Sequence, residues 1–136
     1  MRGLQMLKKD GRLVYSTCSF NPIENEAVVQ AALKKMKDFV EIVDVSEEVS
    51  PYLRYRPGLL KWKVFHRGKG KNHPALWYQT WPSVPEWKRK EGESHALCET
   101  MFHEEYTYHN NQKDRTVLRD PLNLSRCMRF YPHDDN

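Results

Sequence analysis

The run RLVYSTCSFNPIENEAVV, residues 12 to 29, constrains the fold most because it joins a strand pattern directly to a helix start. Residues 13 to 15 are β-forming, which predicts a short strand. Asn21 is a favoured N-cap residue, Pro22 fits the first helical position, and Glu24 falls at the third. Helix capping explains these three residues without any catalytic role, and we expect them to hold the turn that follows the strand.

The pattern that follows extends this unit to a second strand. The predicted helix runs through EAVVQAALKKM, and lysines near its end complement the helix dipole. Residues 39 to 45 are rich in β-branched and aromatic side chains, which predicts another strand. Strand, helix, strand is the unit of a parallel sheet, so residues 1–50 are predicted to belong to the α/β class. The apolar side of the predicted helix consists of Ile23, Ala27, Val28, Ala31 and Leu33.

The remainder of the chain, residues 51–136, has a weaker pattern. Residues 66 to 73 predict an exposed loop, and residues 82 to 114 show no clear period, which indicates a long insertion with partial order. Residues 126 to 133 predict a strand or the approach to one. We therefore divide the chain into a regular part, residues 1–50, and an irregular part that is basic and aromatic.

Composition limits the class of protein. The chain has 136 residues, of which 29% are charged, and a mean hydropathy of −0.83, so it can build one domain with a thin core. No apolar run reaches about 18 residues, so the sequence predicts no membrane span. The net charge of +4 weakly favours polyanionic partners. Three widely spaced cysteines predict neither a disulfide framework nor a metal site, and they fit a reducing compartment.

Cys18 is the candidate nucleophile because of its place in the predicted unit. It follows the first predicted strand and precedes Asn21 at the helix start. Ligands in open α/β sheets bind beyond the carboxyl ends of the strands. The partial positive charge of a helix amino end also favours a thiolate. The alternative is a small packing residue at a strand–helix junction, which is the usual role of a free cysteine.

The residues that decide between these alternatives form a family signature. The run LVYSTCSFNPIENEAVV, residues 13 to 29, resembles the signature segment of the Sun-domain RNA cytosine-5 methyltransferases. In that family a YSTCS run ends a strand and an ENE run opens the next helix. Further runs resemble the eukaryotic tRNA-modifying branch of the family, namely PGLLKWKV, ETMF and RCMRFYPH. The resemblance implies a partial Rossmann-like methyltransferase fold, of which this chain supplies later strands and a helix, with irregular basic and aromatic insertions.

The resemblance also implies a covalent mechanism with Cys18 as the nucleophile. Its thiolate would add to carbon 6 of a cytosine, so that carbon 5 takes a methyl group from S-adenosylmethionine. The target base must leave its stack to be reached. The implied substrate is RNA, in this branch tRNA. The eukaryotic resemblance implies the nucleus, otherwise the cytoplasm, and not secretion.

Some motifs that the resemblance leads one to expect are absent from this sequence. Enzymes of the family carry a glycine-rich cofactor loop, an acidic residue on the next strand and a proline–cysteine motif ahead of the TCS run. None of these is present in the 136 residues. We therefore expect the chain to be an incomplete, C-terminal portion of the catalytic domain, itself truncated at its own C-terminus. We expect the S-adenosylmethionine site to lie outside this chain.

A basic and aromatic stretch provides candidate RNA-binding residues. Lysine and arginine neutralise phosphates, and aromatic faces stack on unpaired bases. The alternative is a solvated charged loop with Trp62 and Val64 packed inward. The candidate RNA-binding residues are Arg54, Arg56, Lys61, Lys63, Arg67, Lys69 and Lys71.

Three functions from different classes are compatible with the residues. The leading hypothesis is part of an RNA cytosine-5 methyltransferase. The second is a non-catalytic RNA-binding or scaffold segment that keeps the fold without the chemistry. The third, a cysteine hydrolase, needs a histidine base, and the scattered histidines provide no identifiable partner for Cys18.

We expect the 136-residue chain alone to transfer no methyl group, because the motifs that would bind the methyl donor are missing from it. The measurement is incorporation of label from S-adenosylmethionine into tRNA. Turnover above a protein-free control would disprove this expectation.

Overall fold

The computed structural model describes residues 1–36, 38–68, 75–89, 96–104, 107–109 and 116–134. Its α-helices are α1 (Arg2–Gln5), α2 (Glu26–Lys35) and α3 (Ser46–Val49). Its strands are β1 (Arg56–Pro57), β2 (Val64–His66), β3 (Leu76–Tyr78), β4 (Thr107–His109), β5 (Thr116–Leu118) and β6 (Met128–Arg129). Short 3₁₀ turns lie at Trp81–Ser83, Glu86–Lys88, Glu99–Met101, Leu124–Arg126 and Pro132–Asp134. None of the helices in these ranges is long and apolar enough to cross a membrane.

The strands pair as three small antiparallel sheets: β1 with β6, β2 with β3, and β4 with β5. In the first sheet Arg56 lies opposite Arg129, which brings residues distant in sequence side by side. β6 lies within residues 126 to 133, where the sequence predicted a strand or its approach. Helices and small sheets together agree with the predicted α/β class, while the Rossmann-like arrangement remains what the resemblance implies.

The core lies between α2, the β2–β3 hairpin and the segments around the 3₁₀ turns. Trp62 donates its indole N–H to the Met101 carbonyl over 2.8 Å, and Gln30 donates to the Phe102 carbonyl over 2.9 Å. These bonds fasten both the hairpin and α2 to residues 101 to 104. The buried cluster consists of Ala27, Trp62, Val64, Tyr78, Val84, Leu97 and Phe102.

This core includes part of residues 82 to 114, for which the sequence predicted a long insertion with partial order. The described part of that range is ordered and supplies Val84, Leu97 and Phe102 to the core. No period is visible there because the apolar residues lie in or beside 3₁₀ turns and extended links rather than in a long helix or strand. The rest of the range lies outside the described residues.

The hairpin β2–β3 shows which side chains of the basic stretch are buried, and it includes His66, which was predicted to lie in an exposed loop. Trp62, Val64 and His66 are buried, as a strand facing the core requires. The intervening side chains face the opposite side and are exposed, namely Lys61, Lys63, Phe65 and Arg67. Inward packing of Trp62 and Val64 is therefore confirmed, and the same alternation keeps the cations available to a partner.

The PGLL run, residues 57 to 60, is held in place by close packing against Leu124 and Cys127. A Cβ added at Gly58 would meet the carbonyl oxygen of Leu124 and, at 2.8 Å, the Cβ of Cys127. The Gly58 N–H donates to the Cys127 carbonyl over 2.7 Å. Only glycine permits the two chain segments to approach so closely.

Two predicted strands are not formed within the described residues. Residues 13 to 15 and 40 to 45 are not assigned to any strand there, and no partner strand lies beside them. Val14 is 90% exposed and Phe39 is 84% exposed. A strand needs a neighbour to bond its N–H and carbonyl groups, so β-forming side chains alone do not create one. The predicted parallel strand–helix–strand unit is therefore not present as a sheet in this part of the chain.

The start of α2 also differs from the prediction. The helix begins at Glu26 with Asn25 at the N-cap, not with Asn21. Residues 22 to 25 form a turn in which the Ala27 N–H reaches back to the Pro22 carbonyl over 2.9 Å. Asn21 still caps this turn, since its side-chain oxygen accepts the Ile23 N–H over 3.1 Å. The bond accepted by Asn21 is the one expected of a cap residue, but the regular helix starts later and its own N-cap, Asn25, makes no side-chain cap bond.

Candidate active site

Cys18 lies exposed on a loop that is shaped by local hydrogen bonds. The Ser19 N–H donates to the Thr17 hydroxyl over 3.2 Å, and the Asn21 N–H donates to the Ser19 hydroxyl over 3.0 Å. Short polar side chains that bond backbone groups nearby hold a chain in a turn without regular secondary structure. The loop therefore presents Cys18 to solvent in a fixed backbone frame.

Asn25 braces this loop from the helix side. Its amide donates to the carbonyls of Ser19, over 2.7 Å, and of Asn21, over 3.1 Å. Its side-chain oxygen accepts the Thr17 hydroxyl over 2.5 Å. Asn25 therefore bonds the residues on both sides of Cys18. Sequence reasoning assigned it no role, although its place inside the ENE run was a signal that could have found it.

Below the loop lies a buried ion pair between Glu26 and Arg129. The guanidinium donates two bonds of 2.6 Å to the two carboxylate oxygens, and the side chains are 1% and 8% exposed. The Leu59 N–H donates to the same carboxylate over 3.0 Å. Arg129 also donates to the Phe20 carbonyl over 3.1 Å. The pair thus connects the Cys18 loop, α2, the PGLL run and β6.

The charges of this pair stabilise each other. Burial acts to raise the pKa of Glu26, but the hydrogen bonds from Arg129 and the Leu59 N–H, with the Arg129 charge, outweigh it, so the pKa lies below its ordinary value. The hydrogen bonds that Arg129 donates to Glu26 raise the pKa of Arg129. Both groups are therefore charged at neutral pH. No sequence pattern predicts the pair, because its partners are 103 positions apart.

The other cysteines differ from Cys18 in surroundings. Burial raises the pKa of the Cys127 thiol to about 11, so it is protonated at neutral pH and suits packing rather than nucleophilic attack. Cys98 is exposed, and its Sγ lies 3.3 Å from the Thr100 hydroxyl. Within the described residues no cluster of side chains could hold a metal ion.

The predicted RNA-binding residues fall on two surfaces. Arg54 and Arg56 line an open cleft of about 510 Å³, together with Ser50, Leu53, Tyr55, His133 and Asp134. Lys61, Lys63 and Arg67 share the exposed side of the β2 segment. Lys69 and Lys71 lie outside the described residues.

Comparison with known families bears on the segment that contains the Cys18 loop. The family described as 16S rRNA methyltransferase RsmB/F matches residues 2–56. This segment belongs to the RsmB/F methyltransferase family. The predicted Sun-domain resemblance is thereby confirmed, and Cys18, its bracing residues and α2 all lie inside the RsmB/F match.

Three curated relatives extend the comparison. The chain is 40% identical over 140 residues to the multisite-specific tRNA:(cytosine-C(5))-methyltransferase trm4b of Schizosaccharomyces pombe, covering 100% of the chain and 16% of that protein. It is 35% identical over 135 residues to the multisite-specific tRNA:(cytosine-C(5))-methyltransferase of Saccharomyces cerevisiae, covering 99% of the chain and 16% of the relative. It is 54% identical over 63 residues to the tRNA (cytosine(34)-C(5))-methyltransferase of Drosophila melanogaster, covering 46% of the chain and 8% of that relative.

These relatives are all named tRNA cytosine-5 methyltransferases, which agrees with the predicted branch of the RsmB/F family. The chain spans only 16% of the length of the two yeast proteins. No solved structure matches the chain.

We predict that Glu26→Gln lowers the free energy of unfolding of the chain by about 3–5 kcal/mol, because Arg129 is left buried without a counter-charge. The double variant Glu26→Leu with Arg129→Met removes both charges and should recover most of that loss. Urea unfolding of the three proteins measures these differences. A double variant no more stable than Glu26→Gln would contradict the assigned cause.

The same pair predicts a pH dependence. The folded-state pKa of Glu26 is lowered, so its contribution is fully present above its ordinary pKa of 4.5 and is lost as the pH falls through the lower folded value. We expect the wild-type chain to lose stability as the pH is lowered from about 5, and Glu26→Gln to lose less over the same interval. Equal losses would show that other carboxylates carry the acid sensitivity.

Proposed function

We propose that this chain is part of an RNA cytosine-5 methyltransferase that acts on tRNA, with S-adenosylmethionine as methyl donor and Cys18 as nucleophile. The observation that carries the proposal is the exposed Cys18 on a hydrogen-bonded loop inside the segment matched by the RsmB/F family. The names of the yeast and fly relatives support tRNA as the substrate. A nuclear location is a further proposal, made only from the resemblance of the sequence to the eukaryotic branch.

Cys18 performs the covalent step in this proposal. Its Sγ bonds to carbon 6 of the cytosine, and the electrons of the carbon 5–carbon 6 double bond move to carbon 5. Once carbon 5 has gained the methyl group, its proton leaves, the ring double bond re-forms and the Sγ–carbon 6 bond breaks. A thiolate suits both steps because it is a strong nucleophile and a good leaving group. The loop residues Thr17, Ser19 and Asn25 hold Cys18 in place for the attack.

Among the described residues, Gly3, Gly11 and Gly58 form no cradle for the methyl donor. S-adenosylmethionine supplies an electrophilic methyl group when bound. Gly3, Gly11 and Gly58 each face atoms of the chain itself, namely the Leu13 side chain, the Lys8 carbonyl and the Leu124 carbonyl. A glycine cradle needs backbone that faces a cavity. We therefore propose that the donor site lies outside this chain and that the chain alone is inactive.

The exposed side of the β2–β3 hairpin supports RNA as the partner. Phe65 and Trp77 lie opposite each other with ring centroids 4.9 Å apart, and they are 46% and 65% exposed. The cations Lys61, Lys63 and Arg67 flank Phe65 along the chain and are exposed as it is. Aromatic faces that stack on bases beside cations that neutralise phosphates form the usual surface for single-stranded nucleic acid.

A non-catalytic RNA-binding segment is the second candidate, and the absence of a donor cradle among those glycines favours it. The covalent step separates the two candidates. Replacement of the target cytosine by 5-azacytidine blocks loss of the carbon 5 proton, so a working enzyme stays bonded to the RNA. A non-catalytic segment binds the same RNA without a covalent bond.

We predict that the full-length product of the gene forms a denaturation-resistant adduct with 5-azacytidine RNA through Cys18. Cys18→Ala should abolish the adduct and lower RNA methylation by at least about 1,000-fold, because an alanine side chain cannot form the bond to carbon 6. The matched control is Cys98→Ser, which removes another exposed thiol and should leave both readouts unchanged. An adduct that persists in Cys18→Ala overturns the proposal.

The hairpin surface predicts a salt effect. Lys61→Gln and Lys63→Gln should each lower the slope of log affinity for RNA against log salt concentration by about 0.7–1, if each lysine contacts one phosphate. Lys8→Gln and Lys9→Gln, also exposed in the chain, are the controls. Slopes that match the controls would remove this surface from the RNA-binding site.

A further inference from the structure

We propose that Phe20 and Tyr131, with the cleft beside them, form a subsite that holds the RNA next to the target cytosine: an unpaired base stacks on Phe20, and the backbone enters the cleft. This inference rests on the proposed function and adds a binding site to it. Its ligand class is one nucleotide of single-stranded RNA.

The stack is the first observation. The rings of Phe20 and Tyr131 are 5.1 Å apart between centroids and inclined by only 10°, a parallel arrangement. Phe20 remains 57% exposed even with Tyr131 against it. An exposed aromatic ring backed by a second ring is a stacking platform rather than a core residue.

The position of Phe20 is the second observation. Phe20 lies two residues after Cys18. Its carbonyl accepts a hydrogen bond from the buried Arg129 guanidinium. The backbone of Phe20 is therefore anchored to the ion pair while its ring stays accessible. An extruded target base leaves its neighbour without a stacking partner. A ring fixed this close to the nucleophile can replace that lost stacking.

The cleft is the third observation, and Tyr131 connects it to Phe20. The Arg56 guanidinium lies 5.4 Å from the Tyr131 ring centroid, and the His133 ring lies 5.3 Å from it. Both Arg56 and His133 line the cleft, as does Arg54. The chain of contacts thus runs from the Cys18 loop through two rings to a basic pocket.

The charges of the cleft favour an anion such as an RNA phosphate. Asp134 is the carboxylate among the lining residues, and Arg56 donates two bonds to it, over 2.9 and 2.7 Å. The Arg56 side chain remains 59% exposed in this pair. With Arg54 in the same cleft, positive charge exceeds negative charge among the lining residues. The bond to Asp134 also holds the guanidinium in one orientation.

The decisive experiment traps the complex and maps what the neighbouring base touches. The full-length gene product is trapped on an RNA that it methylates, with 5-azacytidine at the target and 5-iodouridine at the 5′ or the 3′ neighbour. Light then joins 5-iodouridine to an aromatic ring stacked on it, and mass spectrometry identifies the residue. We expect a cross-link to Phe20 or Tyr131 from one of the two neighbours.

Kinetics of matched variants give an independent readout. Phe20→Leu keeps an apolar side chain without the ring, and it should raise KM for RNA by roughly 5- to 100-fold with a smaller change in kcat. Phe20→Tyr keeps the ring and should retain a KM near that of the wild type. Phe39→Leu makes the same change at another exposed phenylalanine and serves as the control.

The outcomes separate this inference from the proposed function. A Cys18 adduct with cross-links that map elsewhere overturns the subsite and leaves the methyltransferase intact. Equal KM values for Phe20→Leu and Phe39→Leu, or equal defects in Phe20→Leu and Phe20→Tyr, also overturn it. Absence of the adduct overturns the proposed function and this inference with it. If Phe20→Leu lowers the melting temperature, the cross-link formed by the wild-type protein decides whether the subsite exists.

Discussion

The ion pair of Glu26 and Arg129 is the interaction on which the rest of the described structure depends. It accepts the Leu59 N–H and donates to the Phe20 carbonyl, so one pair of side chains joins four separate segments. A buried pair adds little net stability compared with an apolar pair of the same size, because both ions lose their hydration. Its effect is on specificity, since any packing that separates the partners leaves a charge buried and uncompensated. That penalty selects the arrangement in which β6 lies against the start of α2.

Two kinds of hydrogen bond constrain the Cys18 loop: bonds between residues close in sequence and a bond from the distant Arg129. Its internal hydrogen bonds involve Thr17, Ser19, Asn21 and Asn25, all close in sequence. These bonds set the shape of the turn. The bond from Arg129 to the Phe20 carbonyl, which comes from the far end of the chain, sets where that turn lies. A nucleophile needs both a fixed loop shape and a fixed loop position, because a loop that moves as a unit does not hold the sulfur in one orientation toward the substrate.

Regular structure was predicted with mixed success, and the failures have physical causes. The helix carrying Ala27 and Leu33 was predicted because its apolar spacing is a local property, whereas its first residue shifted to Glu26 because the turn before it closes with other bonds. Residues 13 to 15 have strand-forming side chains, but strand formation needs a partner that side chains alone do not specify. The exposure of Val14 is the direct consequence. Core residues such as Val84 and Phe102 were missed because 3₁₀ turns and extended links leave no period to detect.

The sequence by itself determined the family of residues 2–56, the candidate nucleophile Cys18 and the capping chemistry around it, because each is carried by a short run of neighbouring residues. Inward packing of Trp62 and Val64 was one of two alternatives that the sequence left open, and the structure shows both residues buried. Only the tertiary structure decided that Glu26 pairs with Arg129, that Phe20 stacks on Tyr131 and that Arg56 shares a cleft with His133. These contacts join residues far apart in sequence, and their energies depend on burial and orientation that no local pattern encodes.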